Sequence, residues 1–222
     1  MIKVENIETM GWKGALRGMR NPLNSWEKSD TRFWGEPVGE LMTDPEMMII
    51  GPNDLSLMQR LYKGGTEHRK YLRQIMVSMD ITAPLYWWKE FDTYKVGTTA
   101  NSCSTMHKIQ AKEFTLEDFS VEHLTTDSLF RFSQLLDIMN SYRDEFNKTK
   151  NKDAWWQMIQ MLPTSYNQKR TVTMNYENVF SMIRQRTGHK LDEWNIFVQF
   201  LKDLPYVVAI DPSLAMHESG GN

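Results

Sequence analysis

The chain holds a single cysteine, Cys103, among its 222 residues. No disulfide can close within it, which suits a reducing compartment. It has no excess of one charge. Lys and Arg number 26 against 28 Asp and Glu, a formal net charge of −2. No global basic field therefore points to DNA or RNA, and no nucleic-acid partner is expected. It lacks any apolar run long enough to span a bilayer. Its opening MIKVENIETMGWKG has no apolar stretch of the signal-peptide kind. A soluble cytoplasmic protein with no membrane partner is the expectation. The five histidines share no zinc spacing with Cys103, so no metal is expected. Neither GxxxxGK(S/T) nor GxGxxG occurs, so the common nucleotide-binding loops are missing as well.

What is there is a chain 41% hydrophobic, enough for one sizeable core. IKVENIE and MVSMDITAP alternate apolar and polar residues, which predicts two strands. GWKGALRGMRNP reads as a short helix ended before Pro22. GPNDLSLMQRLYKGG reads as a helix with Asn53 as its cap and Gly64 at its end. PLYWWKEFDTY opens with proline at a helix start, and its aromatics argue for packing against a partner surface. Residues 127–147 carry the longest amphipathic pattern, through Leu129, Phe132, Leu136, Met139, Tyr142 and Phe146. DAWWQMIQML, MNYENVFSMIRQRTGHK and LDEWNIFVQFLKDLP predict three more helices, stopped by Pro163, Gly188 and Pro205. Turn signals stand at Gly35-Glu36-Pro37 and Asp44-Pro45. The expectation is a mixed α/β fold, a helix-rich single domain over residues 1–215 with a small sheet, followed by a frayed tail over 216–222.

One stretch does not suit a core. Gly97-Thr98-Thr99-Ala100-Asn101-Ser102-Cys103-Ser104-Thr105 is a run of small, mostly hydroxyl-bearing residues, with Lys95 just before it. It either lines a pocket for a polar ligand such as a phosphate or is a plain loop. Cys103 and His107 are four apart, on one face if the stretch is helical. Either they are a thiolate–imidazole pair, or Cys103 is a small buried hydrophobe. The basic groups His68-Arg69-Lys70 with Arg73, and Arg184 with Arg186, are either functional or solvated helix faces.

LMQRLYKGGTEHRKYLRQIMVSMDITAPLYWWKEF, followed in register by MLPTSYNQKRTVTMNYENVFSMIRQR, resembles the flavin-dependent thymidylate synthases. The likeness covers residues 50–107 and 153–205. His68 takes the place of the family's turn histidine, and Ala83-Pro84 falls at the expected distance. The Arg-His-Arg positions are Thr93, Tyr94 and Lys95, and the serine-rich loop positions run from Thr98 to Met106. The family's Asn-x-Arg falls on Asn175 and Glu177, and its final arginine on Arg186.

The resemblance implies a homotetramer with FAD and dUMP between subunits, NADPH as reductant and methylenetetrahydrofolate as one-carbon donor. It assigns His68, Lys70, Arg73, Lys95 and Asn175 to the flavin. Thr98, Asn101, Ser102, Cys103, Ser104 and Arg186 fall to the nucleotide. Cys103, with Ser102 beside it, stands where the family has its activating serine, and Arg186 beside the uracil. An enzyme that methylates or otherwise modifies a pyrimidine nucleotide is one reading. A non-catalytic sensor or sequestering protein on the same scaffold is another. An assembly protein that joins subunits through its Trp pairs is a third.

Overall fold

The computed structural model describes residues 1–34 and 48–217. The turn signals at 35–37 and 44–45, and the tail from Glu218 on, lie outside the described residues. In chain order the elements are β1 (Lys3–Met10), α1 (Trp12–Arg20), β2 (Arg32–Phe33), β3 (Met48–Ile49), α2 (Pro52–Lys63), β4 (Met76–Pro84), α3 (Leu85–Phe91), β5 (Thr98–Ser102), α4 (Thr126–Thr149), α5 (Lys152–Met161), β6 (Asn167–Asn175), α6 (Tyr176–Arg186), α7 (Asp192–Lys202) and α8 (Val207–Ile210). This is the helix-rich α/β fold with a small sheet that the sequence predicts. The chain forms two compact units. The first comprises Met1–Glu5, Asp80–Thr93 and Ala100–Thr171, and the second Asn6–Met79, Tyr94–Thr99 and Val172–Asn222.

Four strands pair in the order β1-β4-β6-β5, and β2 pairs antiparallel with β3. Thr171 Oγ1 meets Asp80 and Thr173 Oγ1 meets Ser78, so β6 runs antiparallel to β4. Gly97 lies against Asn175 while the Cys103 N–H donates to the Lys169 carbonyl, so β5 also runs antiparallel to β6. Alternation explains β4 directly. Val77, Met79, Ile81 and Ala83 are buried, and the residues between them are half-buried.

The small-residue run proves to be a strand over Thr98–Ser102, with four of its five residues exposed. It is an edge strand, and side chains too small and polar for a core suit an edge that must not recruit another sheet. Cys103 and His107 lie beyond it in a turn rather than on a helix, so they do not share a helical face.

In the first unit, α3 buries Trp87, Trp88 and Phe91 almost completely. The aromatics expected to meet a partner thus fill this chain's own interior. The Pro84 ring carries no acceptor to cap α3. The orphan N–H groups of Leu85 and Tyr86 donate instead to the carbonyls of Tyr166 and Thr164. A separate core forms where Leu136 and Met139 of α4 and Met158 of α5 meet Ile109, Phe114 and Phe119. The two helices join through Lys150, left-handed at φ 59°, and Asn151, whose side chain caps α5.

In the second unit, α2 is capped from a distance. Asp30 accepts from the N–H groups of Asn53 and Asp54 at 2.9 and 3.0 Å, so Asn53 is a recipient of the cap and not its source. Asp54 is fully buried and bonded by Arg20, Ser29 and Thr31. Burial pushes its carboxyl up, but the hydrogen bonds from Thr31, Ser29 and Arg20 outweigh that and hold it below the ordinary range. The fully buried Tyr176, Phe180, Trp194 and Phe197 of α6 and α7 anchor this unit's core. Burial pushes the Tyr176 phenol far above its usual range.

Candidate functional site

Within the second unit, residues 94–98 lie along α6. Asn175 caps that helix by accepting from the Asn178 N–H at 3.0 Å. Asn178 Nδ2 then donates to the Val96 carbonyl at 2.8 Å and to Thr98 Oγ1 at 2.9 Å. Gly97 is required between them. Its φ is +73°, and a Cβ there would fall 2.4 Å from Asn175 Nδ2. Lys95 is exposed on this clamped segment.

At the other end of α6, Arg186 Nε donates to the Tyr94 hydroxyl at 2.9 Å, and that hydroxyl donates to Gln185 Oε1 at 3.0 Å. The guanidinium lies 4.7 Å from the centre of the Trp194 ring and 5.5 Å from that of Tyr94. Such cation–π contacts help to fix the guanidinium in place. The His189 ring approaches Arg186 Nη1 at 3.3 Å.

A cleft of ≈ 510 Å³ opens elsewhere in the same unit, lined by Met19, Leu57, Leu61 and Tyr71 together with Glu67, His68 and Lys70. His68 follows α2 in a tight turn, its N–H donating to the Gly65 carbonyl. Arg73 points to other work. It forms an ion pair with Glu177 in the first turn of α6 and donates to the Thr66 carbonyl at 3.2 Å. The hydrogen bond and charge of Glu177 raise the arginine's pKa.

In the first unit, Asn101 and Ser102 are exposed on β5. Cys103 has an exposed thiol, not a buried one. With Ser104, Lys108, Lys112, Phe114, Asp118 and Tyr166 it lines a hollow of ≈ 460 Å³. The Ser104 hydroxyl is committed to its turn, accepting from the Met106 and His107 N–H groups at 3.1 and 3.0 Å. Burial, and next the charge of Asp118, raise the Tyr166 pKa.

The sequence-predicted residues therefore fall into groups. Lys95, Thr98, Asn175 and Arg186 share the scaffold of α6 and its attached segment. His68 and Lys70 share the cleft, Cys103 and Ser104 share the first unit's hollow, and Arg73 is bound to Glu177. Asn178, His189 and Trp194 were not anticipated, and Tyr94, named only as a motif position, was not expected to bond Arg186. Asn178, three residues after a capping Asn175, carried a readable signal, whereas Trp194 carried none. Among the described residues, no group of three His, Cys, Asp or Glu gathers as a metal site. Among them, too, no helix is long and apolar enough to cross a membrane.

No protein-family model matches the sequence, nor does any curated protein. Solved structures are similar in fold. Thymidylate synthase X from Helicobacter pylori with FAD and dUMP superposes with a TM-score of 0.63 at 14% identity, over 96% of this chain and 99% of that one. Another structure of that flavin-dependent enzyme, complexed with FAD and dUMP, gives 0.63 at 16% identity, over 95% and 98%. The UMP/dUMP methylase PolB from Streptomyces cacaoi, bound with 5-Br UMP, gives 0.62 at 10% identity, over 97% and 94%. The likeness is one of fold, and it spans nearly the whole chain. The chain thus has a thymidylate synthase X-like fold.

Proposed function

We propose that this chain binds a pyrimidine nucleotide and modifies it with the help of a flavin, as a divergent enzyme of the thymidylate synthase X kind. The observation that carries the reading is the scaffold of α6. Asn178 holds Val96 and Thr98, in the segment that carries Lys95, and Tyr94 and Trp194 hold Arg186. A guanidinium held in place, and an ammonium on the same attached segment, are groups that a nucleotide's phosphate or its uracil carbonyls bind. Three solved structures of this fold, of two proteins, carry dUMP or 5-Br UMP, two of them with FAD.

The cleft beside His68 and Lys70 suits a flavin in its chemistry. Met19, Leu57, Leu61 and Tyr71 offer apolar surface to a ring, and the exposed imidazole and ammonium offer partners to a phosphate. A bound flavin would supply hydride transfer, with NADPH as its reductant and methylenetetrahydrofolate as the one-carbon source. Lys95 answers a phosphate as a point charge, without arginine's bidentate fork. The exposed Cys103 thiol, with Ser102 beside it in sequence, stands in for an activating serine and acts as nucleophile or proton carrier. A cytoplasmic homotetramer belongs to the same proposal.

A second reading, nucleotide binding without catalysis, is favoured by one contact. Glu177 engages Arg73, so one of the expected cofactor-binding cations is already paired within the chain. The two readings separate on one preparation. The enzyme reading predicts a visible flavin absorbance band after incubation with FAD, and turnover of dUMP or UMP with NADPH and methylenetetrahydrofolate. Saturable nucleotide binding with neither property would establish the second reading. Absence of binding would defeat both.

A further inference from the structure

Helix α2 separates two hollows of the second unit. Leu57 and Leu61 face the cleft described above. Asn53, Ser56 and Arg60, at helical spacing of three and four, line another of ≈ 220 Å³ with Arg20 and Lys28. None of these five residues takes part in the proposed nucleotide or flavin site.

Every side chain lining this second hollow is polar, and three are cationic. Arg20 is 4% exposed. Its Nε donates to Asp54 Oδ1 at 2.7 Å and its Nη1 to the Ser25 carbonyl at 3.2 Å. Its Nη2 is buried and meets no acceptor among the described residues. Buried guanidinium N–H groups are costly to leave without one, so this atom marks a place where an acceptor belongs. Asp54 already takes bonds from Arg20, Ser29, Asp30 and Thr31. Lys28 and Arg60 are exposed and form no ion pair among the described residues. The occupant is thus an anion rich in acceptors. The volume admits a tetrahedral oxyanion, being several times the share of one water.

We propose that this hollow binds a phosphoryl group, with Arg20 Nη2, Lys28 and Arg60 as its charged donors and Ser56 and Asn53 as neutral ones. The phosphoryl group comes either from free phosphate or from the end of a phosphomonoester whose remainder stays outside. Because this site shares no residue with the nucleotide reading, either can fail without the other.

Calorimetric titration of the full chain with inorganic phosphate, and separately with ribose 5-phosphate, at ionic strength matched with sodium chloride, tests it. Wild type binds phosphate saturably. The double variant Lys28→Ala, Arg60→Ala binds it at least about tenfold more weakly, having lost charge-assisted donors. Its unliganded melting temperature equals that of wild type, since both side chains are exposed. Arg20→Gln is not used as the main variant because it disturbs the buried Asp54 pair. Equal binding of ribose 5-phosphate assigns the site to a phosphomonoester, and binding of phosphate alone assigns it to the free ion. Absence of saturable phosphate binding, or binding unchanged in the double variant, overturns the proposal.

Discussion

The two ends of α6 hold the same short segment by different physics. At the first turn, neutral amides do it. Asn178 bonds the Val96 carbonyl and the Thr98 hydroxyl, and Asn175 leaves room only for a glycine at position 97. At the last turn a cation does it, with Arg186 bonded to Tyr94 and laid over Trp194. Neutral hydrogen bonds fix backbone shape and are indifferent to salt. A cation laid against aromatic faces has its position fixed by them. The first end shapes the segment, and the second places a charge at its start.

Four substitutions would break or sharpen that contrast. Trp194→Ala removes a fully buried indole. It costs about 3–5 kcal/mol in denaturant unfolding and also removes one of the contacts that hold Arg186. Gly97→Ala should cost about 1–3 kcal/mol, because φ +73° is strained for alanine. The same measurement checks it, and loss of order in residues 95–98 by amide exchange would tie the cost to the segment. Asn178→Ala removes bonds to Val96 and Thr98 and should cost about 1 kcal/mol, unchanged between low and high salt. Glu177→Gln breaks only an exposed pairing with Arg73. Its melting temperature at neutral pH should match wild type, as exposed ion pairs add little. A large loss there would mean that the first turn of α6 also depends on charge.

Much of this architecture could be read along the chain wherever a single period governs it. Val77, Met79 and Ile81 announce β4, and Leu136, Met139 and Tyr142 announce α4. Reading failed where partners are distant. Asp30 caps α2 from another segment, so local chemistry credited Asn53 instead. β6 buries Gln168, Val172 and Met174, yet only two of these are apolar, too few to announce a strand along the chain. The hydroxyl run at 98–102 has no apolar face to mark it as a strand, since it lies at a sheet edge. For the candidate site, the family likeness named His68, Lys95, Asn175 and Arg186; Asn175 and Arg186 are on α6 and its cap with Lys95 on the attached segment, while His68 lines a separate cleft. That Tyr94 would hold Arg186, and Glu177 hold Arg73, was not legible. The bonded pairs are separated by 92 and 104 residues, and no local pattern links them.

The central claim is that α6 and its attached segment present Lys95 and Arg186 to a pyrimidine nucleotide. Calorimetric titration of dUMP and of UMP into wild type and into Lys95→Ala, Arg186→Ala tests it most directly. The account predicts saturable binding to wild type, weakened at least about tenfold in the double variant through lost charge-assisted bonds. The same dissociation constant in both proteins, or no binding to either at millimolar nucleotide, would contradict it.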